Sequence, residues 1–133
     1  MKTKAILVLT LIGFGVVLSM HVASAQQTGI KRTDLIRNDI SAQGRETIQV
    51  RVDFAPGASF GRHSHPGEEI AYVLEGTLEY QIDGKPTVTL KAGEALYIPA
   101  GTIHAAKNVG ESKASELATY IVEKGKPLVA IAK

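Results

Sequence analysis

Three histidines and one glutamate are the residues whose types and spacing suit a metal ion. His63 and His65 are two positions apart, so on an extended strand both imidazoles project to the same face. Glu69 follows Pro66-Gly67, which predicts a reversal of the chain that brings a carboxylate beside them. His104 comes from a later predicted strand. Three neutral imidazoles and one carboxylate suit a first-row divalent ion, with open positions if the site is five- or six-coordinate.

The placement of the histidines favours a metal site over ordinary packing. A His-x-His pair alone is more often a pair of surface or core histidines than a ligand pair. In this chain, every histidine after residue 25 falls in two short segments bounded by glycine and proline. The chain has no cysteine, which excludes disulfides, thiolate metal sites and cysteine nucleophiles. A metal ion must therefore be held by nitrogen and oxygen.

The first 25 residues are predicted to be a signal peptide. Lys2 and Lys4 make a positive start, residues 5–20 are uncharged and mostly apolar, and Ala23-Ser24-Ala25 has the small-x-small pattern of a cleavage site. The alternative is an uncleaved membrane anchor, for which the apolar run is short. We therefore expect cleavage after Ala25, a periplasmic or secreted protein, and no stable membrane insertion after cleavage.

The predicted mature chain is formally neutral. The whole chain has 15 Lys and Arg residues and 13 Asp and Glu residues, and the predicted signal peptide holds two of the lysines and no acid. Thirteen charges of each sign remain, without a basic stripe. Nucleic acid is therefore not expected as a partner.

The rest of the chain is predicted to form one all-β domain. A chain of 133 residues suits a single core. Residues 26–46 are polar and predict an N-terminal arm with one short strand or turn, and residues 124–133 predict a C-terminal tail. Ile48, Val50, Val52 and Phe54 alternate with polar residues, as in a half-buried antiparallel strand. Similar short runs between turn signals follow at 70–74, 77–82, 88–90, 95–98, 103–107 and 117–122.

Alternation of this kind predicts two packed sheets, because each strand has one apolar face to bury. A jelly roll, an immunoglobulin-like sandwich and a lipocalin-like barrel all satisfy the pattern. The strands alone do not distinguish these three folds. The segments that carry the histidines distinguish among these folds.

Two segments resemble the two characteristic motifs of the cupin family. Residues 57–76, GASFGRHSHPGEEIAYVLEG, have the glycine, His-x-His pair, glutamate and glycine of the first motif at its spacing. Residues 93–108, GEALYIPAGTIHAAKN, have the glycine, proline, glycine, histidine and asparagine of the second. The resemblance implies a double-stranded β-helix, or jelly roll, with the barrel over residues 47–123. It also implies four metal ligands at one end of the barrel: His63, His65, Glu69 and His104.

The resemblance leaves two functions open. The first is a metal-dependent enzyme of the dioxygenase type, acting on a small molecule with one divalent ion per chain, which is iron, manganese, zinc, copper or nickel. The second is a non-catalytic module that binds a metal or a small ligand. No further acid or base is identified for catalysis. Phe60, Arg62, Tyr72, Tyr80 and Tyr97 are candidates to line the pocket, although packing is the simpler expectation for each.

A homodimer is expected from the pattern of one strand. If Glu69 faces the site, then Ile70, Tyr72 and Leu74 lie on the opposite face of the strand. Together these three side chains make an apolar surface too large to leave in water. Packing of this sheet against a second copy would cover it.

Overall fold

Residues 27–133 are described by the structure, which is a computed structural model. The predicted signal peptide and its cleavage site lie outside them, so export stays a prediction. The described residues form ten strands, and among them there is no helix that could cross a membrane. The strands are β1 (Ile30–Asp39), β2 (Arg45–Phe54), β3 (Ser59–Ser64), β4 (Gly67–Glu75), β5 (Thr77–Ile82), β6 (Val88–Lys91), β7 (Ala95–Ile98), β8 (His104–Asn108), β9 (Ala114–Glu123) and β10 (Ala130–Ile131).

The strands form two five-stranded antiparallel sheets. Sheet A has the strand order β1-β2-β9-β4-β7, and sheet B has the order β10-β3-β8-β5-β6. Alternating side chains of both sheets point inward, so that every second residue of β2 and β5 is buried. The predicted all-β double-stranded β-helix is confirmed. The buried apolar core includes Val50, Val52, Phe54, Ala71, Val73, Leu78, Tyr80, Ile98, Ala118, Tyr120 and Val122.

The first strand is longer than its sequence pattern predicts. β1 is ten residues long and pairs with β2 at the edge of sheet A, where one short strand or turn was expected. Of its ten residues only Ile30 is buried, so the alternation that marks the other strands is missing. Backbone pairing with β2 makes the strand, and such pairing leaves no periodic signal in the sequence. The predicted domain boundaries stay predictions.

The chain passes from sheet B to sheet A between the first two predicted ligands and the third. β3 ends at Ser64 and β4 begins at Gly67, so Pro66 marks a crossover. A Cβ atom at Gly67 would lie 2.1 Å from the Ile121 carbonyl oxygen and 2.6 Å from Val122 Cα on the neighbouring strand. Glycine is required here by the close approach of β9.

Candidate metal centre

The structure brings the four predicted ligands together between the two sheets. His63 lies near the end of β3 and is paired with His104, the first residue of β8. His65 follows β3, and Glu69 projects inward from β4. All four side chains are buried, with exposed fractions of 3 to 5%. Two sheets therefore contribute to one small cluster.

The spacing of the ligand atoms fits a single ion. One ring nitrogen of each histidine lies within 4.8 Å of the other two. Glu69 Oε2 is 3.1 Å from His65 Nε2 and 3.0 Å from His104 Nε2. Neighbouring ligands around an ion at 2.0–2.2 Å are about 3 Å apart. His65 Nε2 and Glu69 Oε2 are buried without a hydrogen-bond partner, which is rare for buried polar atoms and is what a shared ion would satisfy.

Each histidine is oriented by a backbone carbonyl group. A carbonyl oxygen only accepts hydrogen bonds, so Nδ1 carries the proton of each neutral ring and Nε2 keeps its lone pair. The same arrangement fixes the rings of metal-binding histidines in other proteins. The acceptors are Gly61 O at 2.7 Å from His63 Nδ1, Leu128 O at 2.6 Å from His65 Nδ1, and Thr102 O at 3.0 Å from His104 Nδ1.

The electrostatics of the cluster suit a cation. Burial opposes the ionisation of Glu69, but its contacts with His104 and His65 prevail and lower its pKa to about 2. Burial lowers the pKa of His63 to about 4, so this ring is neutral at pH 7. Burial also acts to lower the pKa of His104, but the Glu69 carboxylate outweighs it and the net pKa is raised. The cluster therefore holds one ionised carboxylate among imidazole rings, and this negative charge attracts a cation.

The cavity beside the cluster is narrow and mostly polar. Its volume is about 10 Å³, which is room for about one water molecule. Phe60 and Tyr80, two of the predicted candidates, line it. The complete lining is Arg32, Val52, Phe60, His63, Glu69, Tyr80, His104, Ala106, Glu116 and Tyr120.

The other three pocket candidates lie outside the cavity. Arg62 forms an exposed ion pair with Asp83 at 2.8 Å. Tyr72 and Tyr97 are 42% and 53% exposed on the outer face of sheet A. The asparagine of the second motif, Asn108, is fully buried and donates hydrogen bonds to backbone carbonyl groups, which gives it a structural role.

Glu116 is a second carboxyl group in the cavity, and it was not identified from the sequence. Tyr80 donates a 2.5 Å hydrogen bond to Glu116 Oε2. Burial, and then the negative charge of Glu69, raise the pKa of Glu116 to about 8. Glu116 therefore holds a proton at neutral pH and can exchange it near pH 8.

Glu116 was not predicted as a site residue because the predicted strand begins at residue 117, three residues too late. β9 begins at Ala114, and Glu116, Ala118 and Tyr120 share its buried face. The available signal was an acidic residue that continues the two-residue alternation of the buried apolar residues. Arg32, on β1, had no such signal, because that strand lacks alternation.

The fold and the site together define a class of protein: an all-β jelly roll with a buried centre of three histidines and one carboxylate. The family model described as "Cupin domain" matches residues 50–128, more than half of the chain. The chain therefore belongs to the cupin family.

Three comparisons indicate which cupins the chain is similar to. Germin-like protein subfamily 2 member 2 of Arabidopsis thaliana is 40% identical over 85 residues, covering 58% of this chain and 39% of the relative. The oxalate-binding protein of Thermotoga maritima is 37% identical over 73 residues, covering 54% and 60%. A structure of recombinant oxalate oxidase in complex with glycolate superimposes with a TM-score of 0.64 at 28% identity, covering 82% and 57%. The chain thus spans less than two thirds of each of these proteins.

Proposed function

We propose that the chain is a mononuclear metal-binding cupin that acts as a metal-dependent oxidoreductase on a small molecule. The ligands of the ion are His63, His65, Glu69 and His104. The observation that carries the proposal is that three Nδ1–H groups are bound by backbone carbonyls, which leaves three Nε2 lone pairs directed beside one carboxylate. When bound, the ion supplies Lewis-acid or redox chemistry.

The chain's own residues add to that chemistry. The three histidines and Glu69 would hold the ion, and the buried walls of the cavity exclude bulk water. Glu116, hydrogen-bonded to Tyr80, holds a proton inside the cavity. Because relatives include an oxalate-binding protein and an oxalate oxidase, oxalate is the first substrate to test.

A non-catalytic binding module is the second candidate, and the size of the cavity favours it. Room for about one water molecule leaves little space for a substrate beside an ion. A module of this kind would hold the metal, or the metal with a small ligand, without turnover.

The setting proposed for this function is an exported homodimer. The pattern of residues 1–25 supports export. Ile70, Tyr72 and Leu74 are 39 to 42% exposed on β4, and Tyr97 on β7 is paired with Ile70 beside them. This outer apolar patch, formed by Ile70, Tyr72, Leu74 and Tyr97, supports a dimer packed through sheet A.

Elemental analysis of the purified protein tests the proposal, with the His104→Ala variant as its control. We expect about one transition-metal ion per chain in the wild type and its loss in the variant. Oxygen uptake with oxalate, catechols, flavonols or diketones then separates the two candidates. Metal-dependent uptake supports the oxidoreductase, stoichiometric metal without turnover supports the binding module, and no metal in either protein refutes both.

A further inference from the structure

Arg32 and Phe60 form the mouth of the cavity. They are the two lining residues that are only partly buried, whereas the other eight are at most 5% exposed. Arg32 comes from β1 in sheet A and Phe60 from β3 in sheet B. The Phe60 ring packs against the His63 ring with 4.4 Å between centroids. A ligand that reaches the centre from solvent must therefore pass these two side chains.

The guanidinium group of Arg32 is held at this mouth by aromatic neighbours. Its Cζ atom lies 5.8 Å from the centroid of the Phe60 ring, within cation–π range. The Arg32 guanidinium also lies near the Tyr120 hydroxyl. Burial raises the pKa of this hydroxyl, and Arg32 offsets part of that rise. Arg32 is therefore positioned between solvent and the cluster, with its guanidinium carbon over the Phe60 ring.

Arg32 differs from the other arginines of the described chain in its charge partners. Arg37, Arg45, Arg51 and Arg62 each have a carboxylate within 4.0 Å. Within residues 27–133, no carboxylate lies within that distance of Arg32. A partly buried guanidinium without a carboxylate partner is suited to bind an anion from solvent.

The charge of the centre and the size of the cavity define the anion. A divalent ion held by one carboxylate and three neutral imidazoles keeps a net positive charge, and Arg32 adds a second one at the mouth. The cavity volume of about 10 Å³ holds about one water molecule, so only a small anion can reach the centre, and it must lie partly in the mouth beside Arg32. We infer that Arg32 is the specificity-determining residue of the centre and selects carboxylates of one or two carbons over neutral ligands of the same size. This inference rests on the proposed function.

Anion binding to the cobalt(II)-loaded protein tests the inference without any assay of activity. Formate and acetate are titrated against their neutral counterparts formamide and acetamide, and binding is followed by the visible spectrum of cobalt. The variants are Arg32→Gln and Arg32→Lys. Lys31→Gln is the matched control, because Lys31 is the exposed neighbour of Arg32 on β1 and its loss changes the net charge equally.

The expected result is a loss of charge selectivity at position 32 alone. Arg32→Gln weakens acetate binding by about tenfold or more and leaves acetamide binding unchanged, since a hydrogen bond to a charged group is lost. Arg32→Lys keeps the charge and is a milder change for folding, so it should lose less acetate affinity. Lys31→Gln should lose none. A cobalt-loaded Arg32 variant with wild-type acetate affinity overturns the inference alone. Wild-type protein that binds no metal overturns the proposed function and this inference with it.

Discussion

Glu68 and Glu69 are neighbours on β4, but their side chains lie on opposite faces of sheet A. Glu69 is buried, with Oε2 3.0 Å from His104 Nε2. Glu68 is partly exposed, and its carboxylate is 3.6 Å from Arg45. The alternation of side chains along a strand explains the difference. The same substitution at these two adjacent positions therefore compares a proposed metal ligand with a matched carboxylate outside the site.

We predict that Glu69→Gln weakens metal binding by about tenfold or more, because the only carboxylate among the proposed ligands becomes a neutral amide. Glu68→Gln should leave the affinity within about twofold, since it removes only a weak surface ion pair. Competition with a chelator of known affinity measures both. Equal metal affinity in the two variants would exclude Glu69 as a ligand.

Stability of the metal-free protein should depend on pH through Glu116. Its pKa is raised from the ordinary value of 4.5 to about 8 in the folded state, chiefly by burial. Between these values the folded chain keeps a proton that the unfolded chain releases. The stabilisation is therefore complete below pH 4.5 and is lost as the pH rises through about 8.

Glu116→Gln removes this dependence, because glutamine resembles the protonated acid and does not titrate. The variant should gain stability relative to the wild type as the pH rises from about 5 to 8, by at most about 1.4 kcal/mol per pH unit. Urea unfolding of both proteins at several pH values measures the difference. A difference that is constant with pH would show that Glu116 is ionised in the folded protein.

Gly67→Ala should destabilise the fold by about 3 kcal/mol, because its Cβ would overlap the backbone of β9. Gly61→Ala is the control, since the nearest atom to a Cβ there is 3.8 Å away, at the end of the Gln27 side chain. The control should change the free energy of unfolding by less than about 1 kcal/mol. Urea unfolding compares the two, and similar values would contradict the close approach of the strands.

The predicted homodimer depends on the outer apolar patch. Tyr72→Glu places a charge at its centre and should convert a dimer to a monomer in sedimentation analysis. Gln81→Glu introduces the same charge on an exposed position of β5 in sheet B and should leave the association unchanged. Wild-type protein that is monomeric at micromolar concentration would refute the dimer.

Local spacing determined the part of the site that lies within the two motifs. The two-residue interval of His63 and His65, and the alternation around Glu69, are enough to place these side chains on the face that the structure shows. Alternation also predicted strands β2 and β4 to β9 and the exposed outer faces of Ile70, Tyr72 and Leu74. These features depend only on neighbours along one strand.

Tertiary structure alone decided the rest of the cavity. Arg32 reaches the centre from an edge strand whose exposed residues carry no periodic signal. Glu116 faces the centre from β9 and lies 47 residues after Glu69 in the sequence. Whether such side chains meet depends on how the two sheets pack and on the pairing register between β1, β2 and β9. Register is set by contacts between strands distant in sequence, so spacing along the chain does not contain it.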